Sequence, residues 1–189
     1  MSHKAKDRLR AVYVLALVVG LRKGELLGLR WVDVDLDGAE LHVRQAAQRV
    51  AGELQFTARK TRHSRRSLPL PPLAVVALKE HRARQAAERL SAGPAWQDSG
   101  LVFTTAHGTP IERRNLNRHR YGVRDRSGLP GVRLHDLRHT CVTLLLDSGA
   151  PPHIVQAIAG HSGIEVTMTI YAHAAVRGSV RFFVWVAPA

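Results

Sequence analysis

Apolar residues gather in runs separated by Gly- and Pro-marked breaks, and their spacing predicts a mainly helical domain with one small sheet. Residues 8–19 form a nearly continuous apolar run, read as a buried helix ended by Gly20. A second helix follows at 23–29, with Leu26, Leu27 and Leu29 apolar. After a turn-like stretch at 33–38, Leu41 with Val43, Leu54 with Phe56, and Leu68 with Leu70 alternate at strand spacing. With Ala51-Gly52 and residues 62–65 as turns, they predict an antiparallel sheet of three strands. Pro71-Pro72 opens a helix running to about Leu90, and 91–99 is a loop. A short strand at 101–103 precedes a basic helix at 112–126. Three more helices are expected at 135–148, 152–159 and 164–173, the first stopped by Gly149 and Pro151. Strand and helix do not alternate regularly, which excludes a doubly wound sheet; the fold class is mainly α with a small antiparallel three-stranded sheet (α+β).

Charge changes the picture most. Among 189 residues, 28 Lys and Arg face 15 Asp and Glu, giving a net charge of +13 and a pI near 11.2. Such a surplus favours a polyanion, above all nucleic acid, because each neutralised phosphate releases condensed counterions. The single cysteine, Cys141, excludes an internal disulfide and fits a reducing compartment. The basic residues 1–10 followed by an apolar run at 11–21 imitate a signal peptide. Arg22-Lys23-Gly24-Glu25 follows at once, however, with no small-residue cleavage site, and the run is too short to cross a bilayer. The expectation is a soluble, cytoplasmic protein without a membrane partner.

Several polar residues then stand out against their apolar surroundings. In His135-Asp136-Leu137-Arg138-His139, positions 135 and 138 lie one helical turn apart, so an imidazole and a guanidinium can project together and grip a phosphate. Leu137, Cys141 and Leu144 are expected on the opposite, core-facing side. The plainer alternative is a capped helix whose His and Arg face water. Zinc held by His135 and His139 is a third reading, weakened because Asp136 replaces a catalytic glutamate and Arg138 would repel a dication. Arg22 begins a helix, where an anion is already favoured, with Glu25 one turn on to hold its guanidinium. Lys60 ends the second strand of a basic hairpin, within reach of a leaving-group oxygen. Gly160-His161 marks a helix break, and Tyr171 follows ten residues later in a helix where a tyrosine is ordinarily a core residue with its hydroxyl at the rim.

In this order the residues resemble the tyrosine recombinase (phage integrase) family: Arg in Gly20-Leu21-Arg22-Lys23-Gly24-Glu25, Lys60 before Thr61, His135-x-x-Arg138, Gly160-His161, then Tyr171. The resemblance runs from about Arg8 to Ala175 and includes Leu29-Arg30-Trp31-Val32-Asp33 and Arg66-Ser67-Leu68-Pro69-Leu70. It implies the catalytic-domain fold of the DNA breaking-rejoining enzymes and a reaction on double-stranded DNA that needs no metal or cofactor. By the same likeness Arg22 and Arg138 clamp the scissile phosphate, and His135 and His161 hydrogen-bond it. Lys60 protonates the 5′-oxygen, and Tyr171 forms a 3′-phosphotyrosyl link. A DNA-binding remnant without catalysis is the alternative. DNA contacts are expected from Arg59, Arg62, Arg65 and Arg66, and from Arg113, Arg114, Asn117, Arg118 and Arg120.

Two departures from the family shape further expectations. Residues 1–175 read as a catalytic domain lacking the usual N-terminal DNA-clamping domain. Residues 176–189 read as an atypical apolar tail, with Phe182, Phe183 and Trp185, in place of a polar docking helix. Family members assemble as tetramers on DNA; with this tail the chain alone is expected to be monomeric.

Overall fold

The computed structural model describes residues 7–58, 65–128 and 131–176. Lys60, Arg59, Arg62 and the tail from 177 onward fall outside them. The apolar run near the N-terminus becomes α1 (Arg10–Val18), which buries Ala11, Val12, Leu15 and Ala16 on one side. It packs against α3 (Pro72–Ala92) and α5 (Leu134–Asp147). The buried residues Ala74, Ala77, Leu78, His81 and Gln85 of α3 recur at helical spacing. Two polar members of that stripe are put to use. Gln85 donates to the Leu101 and Val102 carbonyls and to Thr104 Oγ1, and accepts from Trp31 Nε1 at 2.6 Å. His81 Nε2 donates to the Val102 carbonyl at 2.7 Å. A short strand was expected at 101–103; these bonds instead hold 101–104 as an irregular segment with isolated bridges from Leu101 to Arg30 and from Thr104 to Pro110.

The sheet differs from expectation in which strands pair. β1 (Val34–Asp35), β2 (Glu40–Val43) and β5 (Arg66–Pro69) form a three-stranded antiparallel sheet, with Leu41 opposite Leu68. The expected middle strand lies instead in a separate hairpin of β3 (Gln45–Val50) and β4 (Glu53–Ala58). Ala51 and Gly52 both take positive φ (48° and 86°) at its two-residue turn, the handedness that matches the twist of paired strands. The five strands therefore divide three and two, because β3 starts directly after β2 and leaves the sheet.

That hairpin lies against α2 (Lys23–Leu27). Gly24 and Gly28, four apart, share the touching face; a Cβ on them would come within 2.8 Å of the Ala47 carbonyl and 2.9 Å of the Ala47 amide nitrogen. Backbone thus meets backbone, and any side chain would push the hairpin off α2. Near the other end of the chain α4 (Arg113–Ser127), α6 (Pro152–Ala159) and α7 (Ile164–Val176) follow the helices read from sequence. α4 is anchored by buried Leu116 and by the Tyr13 hydroxyl bonded to His119 Nδ1 at 2.8 Å. Val142, Val155 and Ala159 form a second, smaller cluster joining α5 and α6, with Ile170 of α7 against it.

Gly28→Ala is expected to destabilise the fold by about 1–3 kcal/mol through overpacking at the Ala47 backbone. Urea unfolding should show a lower midpoint with an unchanged slope; a midpoint equal to wild type would contradict the close approach.

Candidate active site

The site is assembled at the end of one helix. The last carbonyls of an α-helix have no partner within it, and that end carries negative partial charge. α6 closes at Gly160, in the left-handed conformation at φ 65°. Three arginines from three distant elements cap it. Arg66 Nε donates to the Ile158 carbonyl at 2.8 Å, Arg138 Nη2 to Ala159 at 2.5 Å, and Arg22 Nη2 to Gly160 at 2.5 Å. Arg138 also donates through Nη1 to the carbonyl of Gly20, which ties α5 to the turn before α2.

One carboxylate balances the three cations. Glu25, 2% exposed, accepts from both Nη atoms of Arg66 at 3.1 and 3.0 Å, from Arg22 Nη1 at 3.1 Å, and from the Arg22 amide at 2.8 Å. Burial alone would raise its pKa, but the bonds and charge of Arg66, then those of Arg22, hold the carboxyl down at about 2. Arg22 is the N-cap of α2 in extended conformation, and its side chain remains 33% exposed, so N–H donors are left for an incoming anion.

His161 follows Gly160 and is almost fully buried; its Nδ1 lies 2.9 Å from Thr167 Oγ1. Burial first, then the charges of Arg138 and Arg22, push its pKa to about 4. At neutral pH it is an uncharged imidazole. If the Thr167 hydroxyl donates to Nδ1, Nε2 carries the proton and is a hydrogen-bond donor. Tyr171 is half-buried on α7, one turn beyond Thr167, and therefore shares the face that anchors His161.

The expectation for α5 is corrected in part. Arg138 is 1% exposed and belongs to the buried side with Leu134, Cys141 and Val142, while Leu137 and Leu144 are only half-buried. Its guanidinium is tolerated there because two backbone carbonyls accept from it; burial and the charge of Arg22 lower its pKa to about 10, still fully charged at neutrality. His135 lies on the first turn, exposed, with its ring edge-on to His139 at 4.4 Å between centroids. Partial desolvation of the rings lowers the pKa of both, with His139 and then Arg138 adding to it at His135 and Arg138 at His139. Among the described residues no group of three His, Cys, Asp or Glu side chains converges as a metal site would require.

The basic surface is also redistributed. Arg66, expected to face DNA, is 7% exposed and fully engaged with Glu25 and Ile158. The strand pattern carried that signal: position 66 has the parity of buried Leu68 and Leu70. Arg65, Arg113, Arg114 and Arg118 are exposed. Arg120 is half-buried, donating to the Val132 carbonyl at 2.6 Å and lying over Tyr121, and Asn117 accepts from Lys23 Nζ at 3.3 Å. Lys23 has its pKa lowered by burial, then by Arg113 and Arg120, so it belongs to the same basic patch although no sequence cue marked it. Thr167 likewise gave no signal, being one threonine in a β-branched helix.

Stability should fall in acid. Glu25 titrates lower folded (about 2) than unfolded, so its contribution is complete above the ordinary carboxylate range. As pH drops from about 5 toward 2 it is lost, amounting to about 3 kcal/mol. His161, depressed to about 4, adds to the loss, because the unfolded chain takes its proton first between about pH 6.5 and 4. Urea midpoints measured from pH 7 to pH 3 should decline throughout; a flat profile would refute the ion-pair geometry.

The sequence profile of the phage integrase family matches residues 1–177. A XerC-like tyrosine recombinase of Caldanaerobacter subterraneus is 38% identical over 178 residues, covering 88% of this chain and 46% of its own length. An integrase of Streptomyces ambofaciens is 36% identical over 175 residues, covering 86% and 44% respectively. The fold is similar to that of the Tn1549 transposon integrase in complex with transposon right-end DNA, with a TM-score of 0.72, 25% identity, and coverage of 94% of this chain and 61% of that one. It is similar to the XerA recombinase at a TM-score of 0.72 and 25% identity, covering 92% and 56%. The chain spans about half the length of the curated relatives it matches. On a match that covers nearly all its residues, the chain belongs to the phage integrase family of tyrosine recombinases.

Proposed function

We propose that the chain is the catalytic part of a site-specific DNA recombinase that cuts and rejoins strands through a 3′-phosphotyrosyl intermediate. The observation that carries this reading is the convergence of Arg22, Arg138 and His161 at the end of α6, with a single carboxylate among them. In this reading Arg22 and Arg138 bind the non-bridging oxygens of the scissile phosphate, and His161 and His135 donate hydrogen bonds to it. Tyr171 attacks phosphorus and passes its phenolic proton to the neutral His135 imidazole, while the bond from phosphorus to the 5′-oxygen breaks and that oxygen leaves with a proton from Lys60. The phosphotyrosyl bond retains the energy of the broken diester, so a 5′-hydroxyl from another strand attacks it and rejoins DNA. Fixed cations stabilise the charge that develops on the phosphoryl oxygens, and each such donor is worth about 2–4 kcal/mol in the transition state. Integrases among the relatives, and a neighbour solved in complex with transposon DNA, support a role in integration or excision.

Tyr171→Phe is expected to abolish covalent adduct formation with DNA while leaving non-covalent affinity within a few-fold. A suitable probe is a pool of short, randomised, nicked duplexes carrying a 5′-bridging phosphorothiolate, whose departing thiolate traps the adduct. An adduct that survives the substitution would sink the assignment of Tyr171; DNA binding without any adduct from the wild type would favour the DNA-binding remnant.

Binding itself should be largely non-specific and governed by salt, each phosphate contacted adding about 0.9 to the log–log slope. Arg118→Ala on α4 should lower that slope by about one. A salt-independent affinity would contradict the basic surface as the contact, and a tetramer seen by light scattering without DNA would contradict a monomeric free chain.

A further inference from the structure

We propose that Arg66 is a positioning residue of the phosphoryl-transfer site, locking Glu25 against Arg22 on one side and the end of α6 on the other. The inference rests on the recombinase reading above. Arg66 uses all three of its guanidinium nitrogens within the protein: both Nη atoms on Glu25 and Nε on the Ile158 carbonyl. Its side chain is 7% exposed and so offers an incoming phosphate almost no surface. What it touches are the two supports of the groups that meet the phosphate. Glu25 fixes the Arg22 guanidinium and caps the Arg22 amide, so the rotamer of Arg22 depends on where the carboxylate sits. Ile158 begins the run of three carbonyls that receive Arg66, Arg138 and Arg22 in turn, and His161 follows directly.

The contact with the helix end is close enough to dictate sequence. A Cβ on Gly160 would fall 2.8 Å from Arg66 Nη1 and 3.0 Å from Cζ, and Gly160 also needs positive φ. The guanidinium therefore lies flat on a backbone surface that only glycine provides. A lysine at 66 would keep the charge but not the planar fork that spans a carboxylate and a carbonyl together. Against the burial that would neutralise Glu25, Arg66 contributes the largest opposing effect, ahead of Arg22, so its removal raises the pH at which the carboxylate's support of Arg22 weakens.

The test is the single-turnover rate of adduct formation on the randomised nicked phosphorothiolate pool. It compares wild type, Arg66→Met, Arg66→Lys, Arg22→Ala and the double variant Arg22→Ala with Arg66→Met. Rates are taken per competent molecule, with folding followed by circular dichroism. Arg66→Met should slow the adduct by about 100-fold, the scale of a misplaced catalytic group. Arg66→Lys should recover only part of this and still fold. In the Arg22→Ala background Arg66→Met should cost much less than in wild type, because the part of its effect that runs through the Arg22 guanidinium is already lost and only the part through the end of α6 remains. The acid limb of the rate should move to higher pH in both Arg66 variants. A residue that only stabilised the fold would reduce competent protein and leave that limb in place. An Arg66→Met rate within about threefold of wild type would overturn the proposal, as would additive losses with an unmoved acid limb. If wild type formed no adduct at all, the recombinase reading would fall first and this inference with it, an outcome distinct from a wild-type adduct insensitive to Arg66.

Discussion

The Glu25 carboxylate is the constraint on which the site depends. Three guanidinium groups within one small volume repel each other, and the fold must supply negative charge to bring them together. It does so with one buried carboxylate and with the carbonyl end of α6. Fully desolvated ion pairs add little net stability, since the cost of burial offsets most of the attraction, but removing one partner is expensive. The arrangement therefore acts as a specification: any packing of α2, β5, α5 and α6 other than the native one leaves an arginine or Glu25 buried without a partner. The same bonds that define the fold leave the cluster cationic, which is the preorganised state a phosphate requires.

Most helices were legible because apolar spacing and proline or glycine punctuation act locally. α3 begins after Pro71 and α6 ends at Gly160, where chain chemistry alone sets the limits. Strand pairing was less legible, because it depends on partners far along the chain. Leu54 and Phe56 alternate as strand residues should, yet only the position of β3 after β2 decides that they form a hairpin of their own. For the site, the identities of Arg22, Glu25, Arg138 and His161 stood out as polar residues among apolar ones. Their environments did not. Arg138 was read as projecting with His135 toward a phosphate, away from the core, and the carbonyls of Gly20 and Ala159 that make its burial tolerable come from elsewhere in the chain. Arg66 was read as a surface cation although its strand parity pointed inward; there, composition outweighed periodicity.

The site also sets two helix ends to opposite uses. Arg22 sits at the N-terminus of α2, where amide groups and the dipole favour a negative ligand, and Glu25 occupies part of that role within the protein. The C-terminus of α6 does the converse, holding cations in place with carbonyls that would otherwise need water. Charge for the incoming anion and anchorage for the groups that meet it thus come from different helices. Arg22 and Arg66 each bridge the two ends, so a change at one is felt at the other.

The smaller cluster of Val142, Val155 and Ala159 has a consequence for how Tyr171 is held. α7 packs chiefly on α5 and α6 through that cluster, apart from the larger core around α1, α3 and the sheet. Burying an aliphatic side chain contributes about 1.5–3 kcal/mol, so the few residues seating α7 bind it with only a fraction of the stability of the whole domain. The further tie of α7 is the bond of Thr167 to His161 Nδ1, so Tyr171 rides on a helix joined directly to the arginine-capped end of α6. The end of α6 and the helix α7 are thereby joined, and a change that shifts α7 reaches His161 through Thr167 rather than staying local to one helix.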